Sequence, residues 1–123
     1  MEWHDFGTLE GPGWAANAVG GAHEIYLFAE HERNARYAGV ALALLDHVLE
    51  DGFIEHERGF ITGYRDTSRD AFCLNFKHGN DWFCPGSMAR VAYQLLTFGV
   101  HLDGSRKEKM SRAAARTAQW IDG

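Results

Sequence analysis

The sequence contains no long apolar run and only two cysteines. Both features limit the classes of protein to which it can belong. No stretch approaches the roughly 18 consecutive apolar residues that a membrane helix requires. Met1 to Asp5 contain neither the basic nor the apolar segment of a secretory signal peptide. Two cysteines without an export signal are more typical of free thiols than of a disulfide. These absences predict a cytoplasmic protein with no membrane partner.

Basic residues are also in the minority. The chain has 12 Lys and Arg against 17 Asp and Glu, which gives a formal net charge of −5. This balance argues against a nucleic-acid partner. Hydrophobic content of 46% is ordinary for a globular protein, and no low-complexity linker divides the sequence. We therefore expect a single helical domain over residues 1–123, long enough to bury a core of its own.

Several short motifs of catalytic and metal sites are missing. The seven histidines form no H-E-x-x-H pair, and neither a phosphate-binding loop nor G-x-S-x-G occurs. Cys73, His78 and Cys84, with His56 as a fourth ligand, would make a zinc site. Their spacing is wider than the paired C-x2-C of structural zinc sites, and buried thiols explain the cysteines more simply. The sequence therefore predicts neither a metal nor a cofactor.

Apolar residues at three- and four-residue spacing are the main positive signal. They predict helices from Trp14 to the polar break at Glu30, from Ala35 to Asp51, from Met88 to Leu102, and from Ser105 onward. Each predicted helix has one apolar stripe that is expected to be buried. In chain order, the stripes are Trp14, Ala18, Ala22, Ile25 and Ala29 in the first helix; Tyr37, Ala41, Leu44, Leu45 and Val48 in the second; Met88, Val91, Ala92, Leu95, Phe98 or Gly99 and Leu102 in the third; and Met110, Ala113, Ala114, Thr117 and Trp120 or Ile121 in the fourth.

The ends of these helices carry local signals as well. Gly52 fits the residue that follows the second helix. Ser87 fits an N-cap of the third helix, and Ser105-Arg106-Lys107-Glu108 has the form of a capping box for the fourth. The predicted fold class is all-α, with two antiparallel helical hairpins joined by a long connection.

That connection, residues 53–87, does not have a helical pattern. Residues 72–77 alternate between apolar and polar side chains, as a half-buried strand does, and Phe60, Thr62 and Tyr64 form a weaker partner run. We expect one short β-hairpin between residues 59 and 78, closed by a polar turn at 65–70. Because long connections are uncommon in compact domains and are usually functional, the 53–87 loop is the predicted functional loop.

Three stretches resemble a known family: Tyr37 to Gly52, Gly59 to Tyr64, and Asn80 to Ala92, which includes Asp81-Trp82-Phe83-Cys84-Pro85-Gly86. They are similar to the six-hairpin (α/α) toroid glycosidase-like family. Such a toroid needs six hairpins, whereas this sequence predicts two, so the resemblance covers only a segment of the family's fold. It implies that the chain is a fragment of a toroid, or else a four-helix arrangement. A partial toroid leaves apolar helix faces uncovered, which favours a homo-oligomer.

The resemblance implies a carbohydrate-active protein, a glycoside hydrolase or an inactive remnant, that acts on or binds a saccharide through the 53–87 loop. Sugar hydrolysis uses two carboxyl groups, one as a general acid and the other as a nucleophile or base. Asp81 stands beside two large rings, which would raise its proton affinity by desolvation. The candidate catalytic residues are Asp81, Glu57 and Asp66, and the candidate saccharide-binding residues are Tyr64, Trp82, Phe83, His78 and Asn80.

A plainer interpretation fits the same residues. Asp81 would be a turn or capping acid, and the aromatic rings would seal the helix ends against water. The chain would then be a non-catalytic helical scaffold or protein-interaction module that binds a partner or a copy of itself. The arrangement of the loop carboxylates separates the two hypotheses. Two carboxylates that converge on a cleft favour the enzyme, and scattered ones favour the scaffold.

Overall fold

A computed structural model describes residues 9–10, 17–62, 64–67, 71–73 and 85–123 of the chain. In this part of the chain the helices are α1 (Asn17–Glu32), α2 (Ala35–Glu50), α3 (Pro85–Gly99) and α4 (Gly104–Asp122). The strands are β1 (Leu9–Glu10), β2 (Ile54–Glu55), β3 (Phe60–Ile61), β4 (Tyr64–Asp66) and β5 (Ala71–Cys73). Helices α1 and α2 form one hairpin and α3 and α4 form another, and the two hairpins pack together. The predicted fold class is confirmed.

The helix boundaries follow local backbone chemistry. The starts of α3 and α4 differ from the predicted starts. Asn34 caps α2 by accepting a 3.1 Å hydrogen bond from the Tyr37 amide, and Gly52, at φ 101°, follows the helix as predicted. Helix α3 already begins at Pro85, so Ser87 lies inside it and is not its N-cap. Proline favours a first helical position because its fixed φ suits the helix and its missing N–H would be unpaired there.

The start of α4 also differs from the prediction. Asp103 is the N-cap residue, and Gly104 follows it with a φ of 73°. Ser105 is therefore the second residue of the helix, and the predicted capping box does not form. Asp103 makes no capping hydrogen bond through its side chain. A glycine that can adopt a left-handed backbone lets the chain enter the helix two residues earlier than the capping motif indicates.

The core lies between the two hairpins. Most predicted stripe residues of α2, α3 and α4 are buried, including Leu45, Val91, Phe98 and Met110. Tyr37 was predicted to be buried but is 45% exposed. In α1, Val19 is fully buried, whereas Ile25 lies at the surface. Trp14 lies outside the described residues. In α1 and α2 the buried face is narrower than the predicted apolar stripe, so part of each of these two stripes remains on the outside.

The connection after α2 contains more strand than predicted. Strand β4 pairs with β5 in an antiparallel hairpin, with Tyr64 opposite Cys73, which confirms a hairpin within residues 59–78. Leu9 and Glu10 add a third strand, β1, to the other edge of β4. Phe60 and Ile61 do not belong to this sheet, because they pair with Ile54 and Glu55 in a separate hairpin. The polar turn is also shorter than expected, since Arg65 and Asp66 are part of β4. Residues 74–77 of the predicted strand lie outside the described residues.

The hairpin formed by residues 53–62, called the 53–62 hairpin below, is anchored at the end of α2. Phe53 is buried and meets the His47 ring edge-on, with ring centroids 5.4 Å apart. The Thr62 amide and hydroxyl both donate to the Phe53 carbonyl, at 2.9 and 3.1 Å. His56 Nε2 donates to the Leu49 carbonyl at 2.7 Å. These bonds close the hairpin and fix its direction as it leaves α2.

The tip of the 53–62 hairpin rests directly on α4. The Thr117 hydroxyl is fully buried and donates to the Gly59 carbonyl at 2.6 Å. Arg116 Nη1 donates to the Glu57 carbonyl at 2.9 Å. Phe60 packs edge-on against Trp120, with ring centroids 5.2 Å apart. The hairpin is therefore a packing element of the helical core.

The segments that contact α4 follow one another in the chain: first the end of α2, and then the 53–62 hairpin. Asp46 and Glu50 of α2 contact Arg106 and Lys109, in the first half of α4. The 53–62 hairpin contacts the second half of α4. The end of α2 and the hairpin that follows it thus contact successive parts of α4.

Gly59 offers a direct test of this packing. Its φ is 83°, and a Cβ atom there would lie 2.2 Å from the carbonyl carbon of Arg116, a backbone atom that cannot move aside alone. Gly59→Ala should lower the free energy of unfolding by about 3 kcal/mol, because backbone strain and steric overlap add. Gly104, at φ 73° with open space around it, is the matched control. Gly104→Ala should cost only about 1 kcal/mol, for strain alone. Urea unfolding measures both changes, and equal losses in the two variants would contradict the close contact.

Candidate functional site

The predicted catalytic and saccharide-binding residues fall into two groups. Asp81, Trp82, Phe83, His78 and Asn80 lie outside the described residues, so their roles stay predictions.

The remaining three candidates lie on strands or turns. Tyr64 and Asp66 belong to β4, where Asp66 is opposite Leu9 on one side and Ala71 on the other. Glu57 is exposed in the turn between β2 and β3, and its carbonyl accepts a hydrogen bond from Arg116. The described part of the chain therefore places Glu57 and Asp66 on separate β-structures. In that same part, no group of three or more His, Cys, Asp and Glu could hold a metal ion.

Glu55, the carboxylate next to this turn, is held by its own hairpin. Its Oε2 accepts hydrogen bonds from the backbone N–H and from Nε of Arg58, both at 3.0 Å. Desolvation acts to raise the pKa of Glu55, but the hydrogen bonds from Arg58 outweigh it and hold that pKa below its usual range. Glu55 is therefore an ionised carboxylate that fixes the turn, which is the opposite of what a general acid requires.

A polar groove of about 490 Å³ lies between the end of α2 and the start of α4. Arg106 binds Asp46 with two parallel hydrogen bonds of 2.8 Å, and Lys109 pairs with Glu50. The hydrogen bonds from Arg106 lower the pKa of Asp46 against a smaller opposing effect of desolvation. Four of the five charged side chains that line the groove are thus paired with one another across it, which identifies the groove as a contact between the helical hairpins.

His23, on α1, is partly buried against α3. The His23 ring stacks on Phe98, with centroids 4.9 Å apart and planes 14° apart, and lies 5.1 Å from the His101 ring. His23 Nε2 is buried and has no hydrogen-bond partner among the described residues. Desolvation lowers the pKa of His23, His101 lowers it further, and Glu24 partly offsets both. Protonation of His23 therefore opposes the contact between α1 and α3.

Two apolar surfaces lie on the outside of the helical hairpins. The first, called the α1–α2 face, surrounds a groove of about 600 Å³ lined by Glu24, Ile25, Phe28, Arg36, Tyr37 and Val40. Phe28 is 55% exposed and Val40 51% exposed. The Phe28 and Tyr37 rings lie 6.2 Å apart and join the two helices across the groove. The exposed side chains therefore form one continuous surface.

The second surface, called the α3–α4 face, surrounds a groove of about 540 Å³ lined by Ala89, Ala92, Tyr93, Leu96, Ala114, Ala118, Ile121 and Asp122. Tyr93 is 63% exposed and Leu96 is 52% exposed. Alanines form the floor of this groove and leave room between the larger side chains. Each helical hairpin therefore presents a large apolar surface outward.

Sequence reasoning predicted uncovered apolar helix faces but did not identify the residues that form these two, because it assigned the apolar residues at helical spacing to the core. Tyr37 and Ile25 were placed in buried stripes, and Tyr93 was not considered. One signal was available. The apolar positions of α2 cover more of the helix circumference than one buried stripe needs, since Tyr37 and Val40 join Ala41, Leu44, Leu45 and Val48. A helix that is apolar over so wide an arc has a second surface to cover.

The enclosure of His23 predicts a pH dependence of stability. Its folded pKa lies below the value of 6.5 expected for the unfolded chain. The unfolded state therefore binds more protons below that pH, and stability falls as the pH decreases through this window. On acidification from about pH 7.5 to about pH 5.5, the wild type should lose more stability than the variant His23→Phe. This variant keeps an aromatic ring at the position but cannot bind a proton there. Because His23 is only partly buried, we expect the difference to stay below about 1 kcal/mol.

Urea unfolding at the two pH values measures this difference. His31→Gln is the control, because His31 is exposed on the same helix, and it should keep the wild-type pH dependence. If His23→Phe and the wild type lose the same stability on acidification, the assignment to His23 is wrong.

Comparison with known proteins adds no relative. No protein family model matches the chain, and no curated protein or solved structure matches it. The resemblance to six-hairpin (α/α) toroid proteins therefore stays a prediction. Within the described residues, no helix combines the length and apolar character needed to cross a membrane.

Proposed function

We propose that this protein is a non-catalytic helical interaction module that self-associates through the apolar outer surfaces of its helical hairpins. The observation that carries the proposal is the exposure of large apolar side chains over grooves on both hairpins, foremost Phe28 and Val40 on the α1–α2 face and Tyr93 and Leu96 on the α3–α4 face. Contiguous exposed apolar surface of this kind is uncommon on monomers and typically marks an interaction site.

The carboxylates of the polar groove and of the 53–62 hairpin support a binding role over a hydrolytic one. Asp46, Glu50 and Glu55 are each paired with a basic side chain. Glu57 is exposed on a turn whose backbone is bonded to α4. A glycoside hydrolase needs two free carboxyl groups facing one cleft. The saccharide hypothesis rests on Asp81 and its neighbours, and no contact of the described residues favours it.

The proposal can be tested by sedimentation velocity over a concentration series from low to high micromolar. The wild type should show a sedimentation coefficient that rises with concentration. At least one of the variants Phe28→Ser and Leu96→Ser should shift that rise to about tenfold higher concentration or more, because each removes a large contact from the face on which it lies. Both variants should still fold, since each side chain is about half exposed in the monomer and neither belongs to the buried core.

Leu27→Ser and Val100→Ser are matched controls, because these exposed apolar residues line neither groove. They should sediment as the wild type does. A wild type that remains a monomer at every concentration would contradict the proposed function.

A further inference from the structure

The α1–α2 face has a charge pattern that its apolar character does not explain. Two charged residues line its groove: Glu24 on α1 and Arg36 on α2. Both are exposed, and neither forms an ion pair with another described residue. The groove of this face is therefore lined by one acid and one base, and neither charge is neutralised by an ion pair with a described residue.

The two charges lie at opposite corners of the face. Helices α1 and α2 meet at Arg33 and Asn34, so position along the hairpin can be counted from there. Arg36 lies in the first turn of α2, close to this connection. Glu24 lies on the other helix, eight residues before the last residue of α1 (32 − 24 = 8), which is about two helical turns farther from the connection. The apolar groove with Phe28 and Tyr37 lies between them.

A surface with opposite charges at opposite corners is complementary to itself. A two-fold axis that lies in the plane of the face, and crosses the line from Glu24 to Arg36 at right angles at its midpoint, exchanges the two positions. Two copies related by this axis place the Glu24 of each copy against the Arg36 of the other and bring the two apolar centres together. Such isologous contacts are the most common interfaces of homodimers. An aromatic centre with a charged rim is also the usual composition of an interface.

We propose that the α1–α2 face binds the same face of a second copy about this two-fold axis, with two reciprocal Glu24–Arg36 ion pairs setting the register. The inference rests on the proposed function and specifies which surface self-associates and how. The α3–α4 face does not fit this role equally well. Its groove is lined by one charged residue, Asp122, so a two-fold contact there has no lining base to pair with it.

A charge-exchange experiment tests the register. Glu24→Arg puts two bases on the face and Arg36→Glu puts two acids there, so each variant alone repels its own copies. Each should dimerise about tenfold more weakly than the wild type, or worse, because two attractive pairs become repulsive. An equimolar mixture of the two variants should form a heterodimer, since every pair across the interface is then opposite in sign. The double variant, Glu24→Arg with Arg36→Glu, should dimerise as the wild type does.

Exposed charges on α4 provide the matched control. Glu108→Arg and Arg112→Glu make the same changes in net charge at exposed positions that do not line the groove. Alone or mixed, they should dimerise as the wild type does. Sedimentation equilibrium gives the dissociation constants, and circular dichroism confirms that each variant keeps its helix content. If a variant fails to fold, Glu24→Gln and Arg36→Gln replace it, and each should still weaken the dimer.

The outcomes separate this inference from the proposed function. A wild-type dimer that is unaffected by both charge reversals, or that is abolished by Leu96→Ser but not by Phe28→Ser, overturns the α1–α2 interface and leaves self-association standing. A wild type that stays monomeric overturns both. Recovery of the dimer only on mixing Glu24→Arg with Arg36→Glu supports the two-fold register.

Discussion

The contact between Gly59 and the backbone of α4 is the constraint on which the remaining packing depends. A Cβ atom at Gly59 would lie 2.4 Å from both the Arg116 carbonyl oxygen and the Thr117 nitrogen, so the hairpin tip approaches α4 as closely as a glycine allows. At that distance the buried Thr117 hydroxyl reaches the Gly59 carbonyl. This bond satisfies a polar group inside the core that would otherwise be costly to bury. The contact also joins the segment after the first helical hairpin to the last helix of the second.

This placement explains how the segment after α2 reaches the part of α4 that α2 itself does not contact. Helix α2 has 16 residues and α4 has 19, and ion pairs from α2 reach only the first half of α4. The 53–62 hairpin covers the second half with Ile54 and Ile61 in the core and Phe60 against Trp120. The first part of the long connection is therefore used to complete the core. The apolar residues of α1 and α2 that this core does not need remain on the outside, where they form the α1–α2 face.

The parts of this structure that the sequence predicted depend on contacts close in the chain. Helix α2 was predicted almost to the residue, because a clear apolar stripe ends at Gly52, whose positive φ is a local property. The buried faces of α3 and α4 followed from the same periodicity. The 53–62 hairpin was not predicted. Its strands have two residues each, too few to show alternation, and its stability comes from α4, more than 50 residues later in the chain.

The candidate site was less predictable for a related reason. Whether Tyr37 faces the core or the solvent depends on which side of α2 meets the second helical hairpin, and apolar character alone does not determine that side. Glu57 of the turn was predicted as a catalytic acid, and its neighbour Glu55 was given no role. Glu55 is instead bound by Arg58, three residues away, a pairing that requires the tight turn closed by the 2.8 Å hydrogen bond from the Gly59 amide to the Glu55 carbonyl.

Native-state hydrogen exchange tests most directly whether the 53–62 hairpin and α4 form one cooperative unit. The informative amides are those of Gly59 and Thr62, which donate to the Glu55 and Phe53 carbonyls, and those of the buried α4 residues Met110, Ala113, Ala114 and Thr117. If the hairpin is part of the core, both sets should exchange with the same free energy of opening and the same dependence on urea. If the Gly59 and Thr62 amides exchange through an opening of lower free energy while the α4 amides stay protected, the hairpin and α4 do not form one cooperative unit.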